Sequence, residues 1–147
     1  MIKTASVIVY KDQVYIPTQG LVKEGPFYIS LDPIRITKLT ESSLTKEIQF
    51  SYTEGNPLTE IESYKDYHKH DPVLKATNAR SWKQLAQQGV SYGVTWHIDK
   101  VILYIPKLDK KGRFVNDPEK QHQFPSDVDT KVIASVILED YSSRDFD

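Results

Sequence analysis

The alternation of apolar and polar residues changes period several times along the chain, and each change predicts an element. Thr4 to Tyr10 is dense in β-branched residues and reads as a strand. Lys11-Asp12-Gln13 reads as a tight turn, and Val14-Tyr15-Ile16 resumes the strand until Pro17, predicting a short N-terminal hairpin. Gly20 and Gly25-Pro26 mark a loop. Phe27–Leu31 is a third strand, ended by Asp32-Pro33. A fourth follows, with Ile34, Ile36 and Lys38 on one side and Arg35 and Thr37 on the other.

The period then lengthens. Thr40-Glu41-Ser42-Ser43 supplies N-cap oxygens, and Leu44, Ile48 and Tyr52 recur at helical spacing until Gly55-Asn56-Pro57 ends the helix. Leu58, Ile61, Tyr64 and Tyr67 suggest a weak helix, followed by a turn before Pro72 and a short helical turn around Val73-Leu74. Ser81-Trp82-Lys83-Gln84 is a capping box opening a helix that buries Trp82, Leu85 and Ala86 and closes at Gly89.

Val90 to Ile98 alternates again, with Tyr92, Val94, Trp96 and Ile98 on one face. Asp99-Lys100 turns the chain back into Val101–Ile105, and Lys110-Lys111-Gly112 turns it once more into Arg113-Phe114-Val115. Residues 91–115 therefore read as a three-stranded meander, and 116–125 as a polar loop. Val132, Ile133, Val136, Ile137 and Tyr141 give a C-terminal amphipathic helix over Asp129–Ser143, with Asp127 and Asp129 at its N-terminal end. Strands precede helices, then strands, then a helix. This order predicts an α+β fold: a mostly antiparallel sheet, from the N-terminal hairpin and central meander, with three or four helices. No linker divides the 147 residues, so a single domain over 1–147 is expected.

Composition narrows the chemistry. Hydrophobic residues at 39% and charged residues at 27% are ordinary for a folded domain. With no cysteine, disulfides, thiolate metal sites and cysteine nucleophiles are excluded. Nineteen basic residues against twenty acidic ones give a net charge of −1, which argues against a general nucleic-acid binder. A local basic patch remains around Lys107, Lys110, Lys111 and Arg113. The apolar run Val7-Ile8-Val9-Tyr10 is too short for a secretory signal, and no stretch approaches a membrane span. A cytoplasmic location without membrane attachment is expected.

Phosphate-cradling glycine loops, zinc-protease helices, EF-hand loops and nucleophile elbows are all missing from the sequence. The richest polar cluster is Asp66, His68, His70 and Asp71. Its His-x-His spacing suits a metal on a strand, but a further ligand such as Asp66, His97 or His122 would have to come from folding. Read plainly, it is a solvated connector, and no cofactor or metal is expected. Carboxylate pairs such as Glu60 with Glu62, or Asp127 with Asp129, are commonplace among twenty acids. His97 beside Trp96 lacks a nucleophile to activate.

The 11% aromatic content is more informative, because tyrosine and tryptophan give rigid contact area with a polar handle. Tyr64, Asp66, Tyr67, His68, His70 and Asp71 are the candidate partner-binding residues. Trp82, Trp96 and Phe114 are assigned to the core.

Several segments resemble a group of small bacterial proteins: the opening Met1–Tyr10 with Val14-Tyr-Ile-Pro-Thr, the central Asp71-Pro-Val-Leu-Lys-Ala and Arg80-Ser-Trp-Lys-Gln-Leu-Ala, then Lys110-Lys-Gly-Arg-Phe and Val132-Ile-Ala-Ser-Val-Ile-Leu-Glu-Asp. Some members of that group resemble immunity proteins of contact-dependent growth inhibition and related toxin systems. The resemblance implies a small cofactor-free protein that binds a toxin domain, and it carries no residue roles with it. The expected function is thus protein binding rather than catalysis. The alternatives are a small hydrolase built on Asp66, His68 and His70, and a structural or oligomeric scaffold pairing through an exposed strand edge.

Overall fold

In the computed structural model, residues 2–23, 27–60, 67 and 69–146 are described. β1 (Lys3–Tyr10) alternates Ala5, Val7 and Val9 to one face and Ile8 and Tyr10 to the other, and both sets are buried. A two-residue turn follows, Lys11 and Asp12 both at positive φ, and Tyr10 pairs with Gln13 at the start of β2 (Gln13–Val22). That geometry matches the natural twist of a hairpin.

Pro17 does not stop β2. The strand runs on through Gly20, and the proline sits where pairing with β3 (Tyr28–Lys38) slips between Pro17 and Thr18. On β3 the slip lies between Leu31, opposite Thr18, and Ile34, opposite Pro17; Asp32 and a cis-bonded Pro33 are looped out between them. The two strands expected on either side of Asp32-Pro33 are therefore one. A bulge on an edge strand tolerates a residue without an N–H.

α1 (Glu41–Glu54) starts as expected: the Thr40 hydroxyl accepts from Ser43 N at 3.2 Å, and Gly55 closes it at φ 73°. It buries Leu44 and Ile48, each contributing about 1.5–3 kcal/mol on burial. Leu58–Thr59 does not continue a helix; it forms β4, parallel to Leu21–Val22 of β2. Two short helices follow, α2 (Pro72–Thr77) and α3 (Trp82–Gln88). In α3 the Ser81 hydroxyl caps Gln84 N at 3.1 Å, but the Gln84 side chain accepts from Arg80 N at 2.6 Å, one residue earlier than a capping box requires. Gly89 is extended rather than a left-handed cap, and the chain passes from α3 straight into β5 (Gly89–Trp96). A β-carbon there would lie 2.6 Å from the Val9 carbonyl oxygen.

β5 pairs with β1 along its whole length and with β6 (Lys100–Tyr104) on its other side. The expected third strand of the meander separates from the sheet. β7 (Pro106–Leu108) and β8 (Phe114–Asn116) form their own two-stranded ribbon. The sheet is completed by β9 (His122–Pro125), drawn from the segment expected to be a polar loop, which pairs with β6. The order is β3-β2-β1-β5-β6-β9, with β4 beside β2. α4 (Thr130–Ser143), capped by Asp129, packs with α1 on one face over Val7, Val9, Val94 and Leu103. On the opposite face, α2 and α3 cover only the β1–β2 end, through Val73, Ala79 and Leu85 against Ile8, Tyr10 and Tyr15. The protein is α+β, and none of its described helices is long and apolar enough to cross a membrane.

Candidate partner-binding surface

The sheet divides at one place. β1 and β2 pair from Ile8–Tyr10 to Gln13–Tyr15, and beyond that no pairing joins them. Gly55, at positive φ, turns the chain out of α1 so that Asn56 enters the gap. Its amide oxygen accepts from Thr4 N at 2.9 Å, and its nitrogen donates to Thr4 O at 2.8 Å and Gln19 O at 2.9 Å. One side chain thus satisfies backbone groups of two strands that would otherwise be buried without partners. The chain continues along β2: Leu21 N donates to the Pro57 carbonyl at 2.8 Å, and Leu58–Thr59 forms the parallel pair.

Between the last β1–β2 rung, Asn56 and α1 lies a cavity of about 320 Å³, lined by Ala5, Pro17, Thr18, Pro33, Arg35 and Phe50 among others. The lining is mainly apolar, with one guanidinium, that of Arg35, and one acidic residue, Glu54. Arg35 pairs through Nε with the Glu47 carboxylate and donates from a terminal nitrogen to Ser51 Oγ at 2.8 Å and to the Glu47 carbonyl at 3.3 Å. Its carbon lies 4.2 Å from the Phe50 ring centroid. Held on both sides, this cation is preorganised at the cavity wall, and the Phe50 ring beside it is 43% exposed. A mainly apolar concavity with a few fixed polar groups is the usual form of a binding site.

The cavity reaches Pro33, and Asp32 on the other side of the same bulge borders a second, open concavity of about 750 Å³ around α2. Pro33 and Asp32 are neighbours in the looped-out bulge of the edge strand, and the two depressions lie towards the α1 and the α2 side of the sheet respectively.

Of the partner-binding residues expected from sequence, Tyr64, Asp66 and His68 lie outside the described residues. Tyr67 places its hydroxyl on the edge strand, donating to Ser30 O at 2.8 Å and accepting from Ser30 N at 3.1 Å. His70 is exposed and lines the second concavity. Asp71 is buried: it caps α2, accepting from Val73 N at 2.9 Å and Leu74 N at 3.3 Å, and takes the Trp82 indole N–H at 2.8 Å. Its carboxylate thus ties α2 to α3.

Among the described residues, no three of His, Asp and Glu come together in a form that would hold a metal. His97 stands beside Trp96 with its Nε2 buried and unbonded. His122 stacks on Phe124, centroids 6.0 Å apart. Glu60 is in an exposed ion pair with Lys23, and Asp129 caps α4. Sequence reasoning missed Arg35, Phe50 and Asn56 as surface-forming residues. Only Asn56 carried a signal, the Gly-Asn-Pro stop, and that signal reports a helix end rather than a bridge.

The opposite end of the sheet is closed by charge. Asp140 of α4, its side chain 8% exposed, accepts from the Tyr92 hydroxyl at 2.6 Å and from Arg144 Nε at 2.7 Å, with Lys120 3.8 Å away. Arg144 also donates to the Pro106 carbonyl at 2.7 Å, linking α4 to the start of the ribbon. Burial, and then the hydrogen bond to Asp140, hold the Tyr92 phenol far above its ordinary range.

No family model and no curated protein matches the chain. Solved structures similar to it over nearly their full lengths include the following two. A protein of unknown function from Neisseria meningitidis superimposes with a TM-score of 0.67 at 12% identity, covering 98% of this chain and 96% of that one. A chain of the CdiA-CT/CdiI toxin and immunity complex from Yersinia pseudotuberculosis superimposes with a TM-score of 0.66 at 11% identity, covering 97% of each. At such identities the common property is the fold, and it extends from end to end. The fold is thus shared with a chain of a toxin and immunity complex.

Proposed function

We propose that this chain is an immunity-type protein that binds a toxin domain and neutralises it in the cytoplasm. The observation that carries the reading is the full-length likeness to a chain of a toxin and immunity complex. The surface around the edge strand supports it. The fork cavity has room for an apolar anchor from a partner, with Arg35 placed to meet a carbonyl or carboxylate beside it. The residues singled out in the sequence, Tyr64, Asp66, Tyr67, His68, His70 and Asp71, belong to this proposal as candidate contacts; of those described, His70 is exposed for direct contact and Asp71 supports the surface from beneath.

The test is neutralisation. Candidate toxin domains encoded near this chain's gene are expressed in cells with and without it. The reading expects growth to be rescued by the chain and a one-to-one complex to form on purification. Filling the cavity with Thr18→Trp should then weaken the complex by about tenfold or more, equivalent to about 1.4 kcal/mol. Growth arrest unaffected by the chain for every candidate, with no complex, would overturn the reading.

A further inference from the structure

The second concavity has a composition of its own. Around α2 it presents Lys69, Lys75 and Arg80, all exposed, with His70 on the same rim. None of the three cations has an ion-pair partner among the described residues, whereas Lys23, Arg35, Arg113, Lys120, Lys131 and Arg144 each have one. Among the described residues, two acids touch the same concavity. Asp71 is buried beneath it and engaged by two backbone amides and an indole, and Asp32 stands exposed at the bulge. Among the described residues, the accessible charge is therefore three exposed cations against one carboxylate. Pro72 and Leu74 supply apolar contact between them.

We infer that this concavity receives an acidic segment of a protein partner, one that places carboxylates against Lys69, Lys75 and Arg80 and an apolar residue over Leu74. The inference rests on the proposed reading that the partner is a protein, and it assigns that partner's chemistry at this surface. Two observations favour carboxylates over nucleic acid. Among the described residues, no aromatic side chain lines the concavity to stack on a base. The chain as a whole has a net charge of −1, the wrong sign for gripping a polyanion by phosphate contacts alone.

The test needs no toxin. The intact chain is titrated with a deca-glutamate peptide at low salt and followed by backbone amide NMR. Saturable shifts are expected at Leu74, Lys75, Asn78 and Arg80, with an affinity of about millimolar. They should shrink steeply with added salt, because exposed charges are screened within about 10 Å at 0.1 M. The triple variant Lys69→Glu, Lys75→Glu, Arg80→Glu should abolish them. The control triple Lys107→Glu, Lys110→Glu, Lys111→Glu, on the ribbon, should leave them unchanged. Both triples alter exposed side chains, and an unchanged amide spectrum elsewhere shows that they fold. Shifts that fail to saturate, that survive the first triple, or that are lost equally with the control triple would overturn the inference. Tighter binding of a deca-thymidine oligonucleotide to the same residues would overturn it in favour of nucleic acid. Peptide binding alongside failed neutralisation retains this site and rejects the immunity reading; neutralisation without peptide binding does the reverse.

Discussion

The two ends of the sheet solve the same problem in opposite ways. From β1 through β5 to β6 the strands are joined by unbroken pairing, and the far end is locked by Asp140 held between Tyr92, Arg144 and Lys120. At the other end the strands part, and a single amide from Asn56 stands where rungs of hydrogen bonds would be. At the closed end the strands stay paired and no gap opens between them. The open end retains a cavity because a side chain fills less of a gap than a strand does. Recognition and rigidity are thus assigned to different places on one sheet, and binding at the fork need not disturb the core that keeps the sheet together.

Three substitutions separate these roles, from the largest effect to the smallest. Leu103→Ala removes a fully buried side chain from β6, in the continuous half. It should lower unfolding free energy by roughly 3 kcal/mol, within the usual range for leucine truncation, as read by urea denaturation. Protection from amide exchange should fall throughout the sheet together. Asn56→Ala at the fork should cost about 2 kcal/mol, because it leaves Thr4 N–H, Thr4 C=O and Gln19 C=O without their partner. Here the exchange pattern should be local, with the Thr4 amide losing protection while those of Val94 and Leu103 keep theirs. A uniform loss would mean that the two ends are not separable.

Tyr92→Phe is the mildest, about 1.5 kcal/mol at neutral pH for a lost hydrogen bond to a carboxylate. It also carries a pH signature. The Tyr92 phenol is raised from its ordinary value of 10.0, by burial first and then by its bond to Asp140. A raised value means that the folded state holds the proton more tightly, so this contribution is complete below about pH 10 and is lost as pH climbs above it. The stability difference between the wild type and Tyr92→Phe should therefore narrow above pH 10. Tyr15 and Tyr141, also raised by burial, would continue to destabilise both proteins there.

Much of the scaffold was legible because its signals are local. The two-residue turn at Lys11-Asp12, the Thr40 cap with Leu44 and Ile48 behind it, and the Asp129 start of the C-terminal helix each declare themselves within a few residues. The misreadings have a common physical origin. Pro17 and Pro33 read as strand stops, yet they face each other across one bulge, where neither needs its missing N–H. Phe114-Val115 reads as the next strand of a meander, yet β6 takes His122–Pro125 as its neighbour, a choice made by Val101 packing opposite Phe124. The candidate surface was the least legible part. A cavity is space left where strands Thr4–Ala5 and Pro17–Thr18 diverge, and no one-dimensional pattern records a divergence. The expected site fell nearby, at His70, because its mixed polar and aromatic character is local; Arg35 and Phe50 are ordinary strand and helix residues until the fold sets them face to face.

The residue after Asn56 gives that bridge a chemical lifetime as well as a position. Asparagine side chains age mainly when the backbone nitrogen of the following residue attacks the amide carbon, expelling ammonia and leaving an acid. In this chain that nitrogen belongs to Pro57, whose ring closes the valence the reaction needs. An aspartate at position 56 would lose both donors that hold Thr4 and Gln19 and would set a negative charge against their carbonyl oxygens. The single side chain on which the fork depends is thus shielded from the commonest form of spontaneous decay.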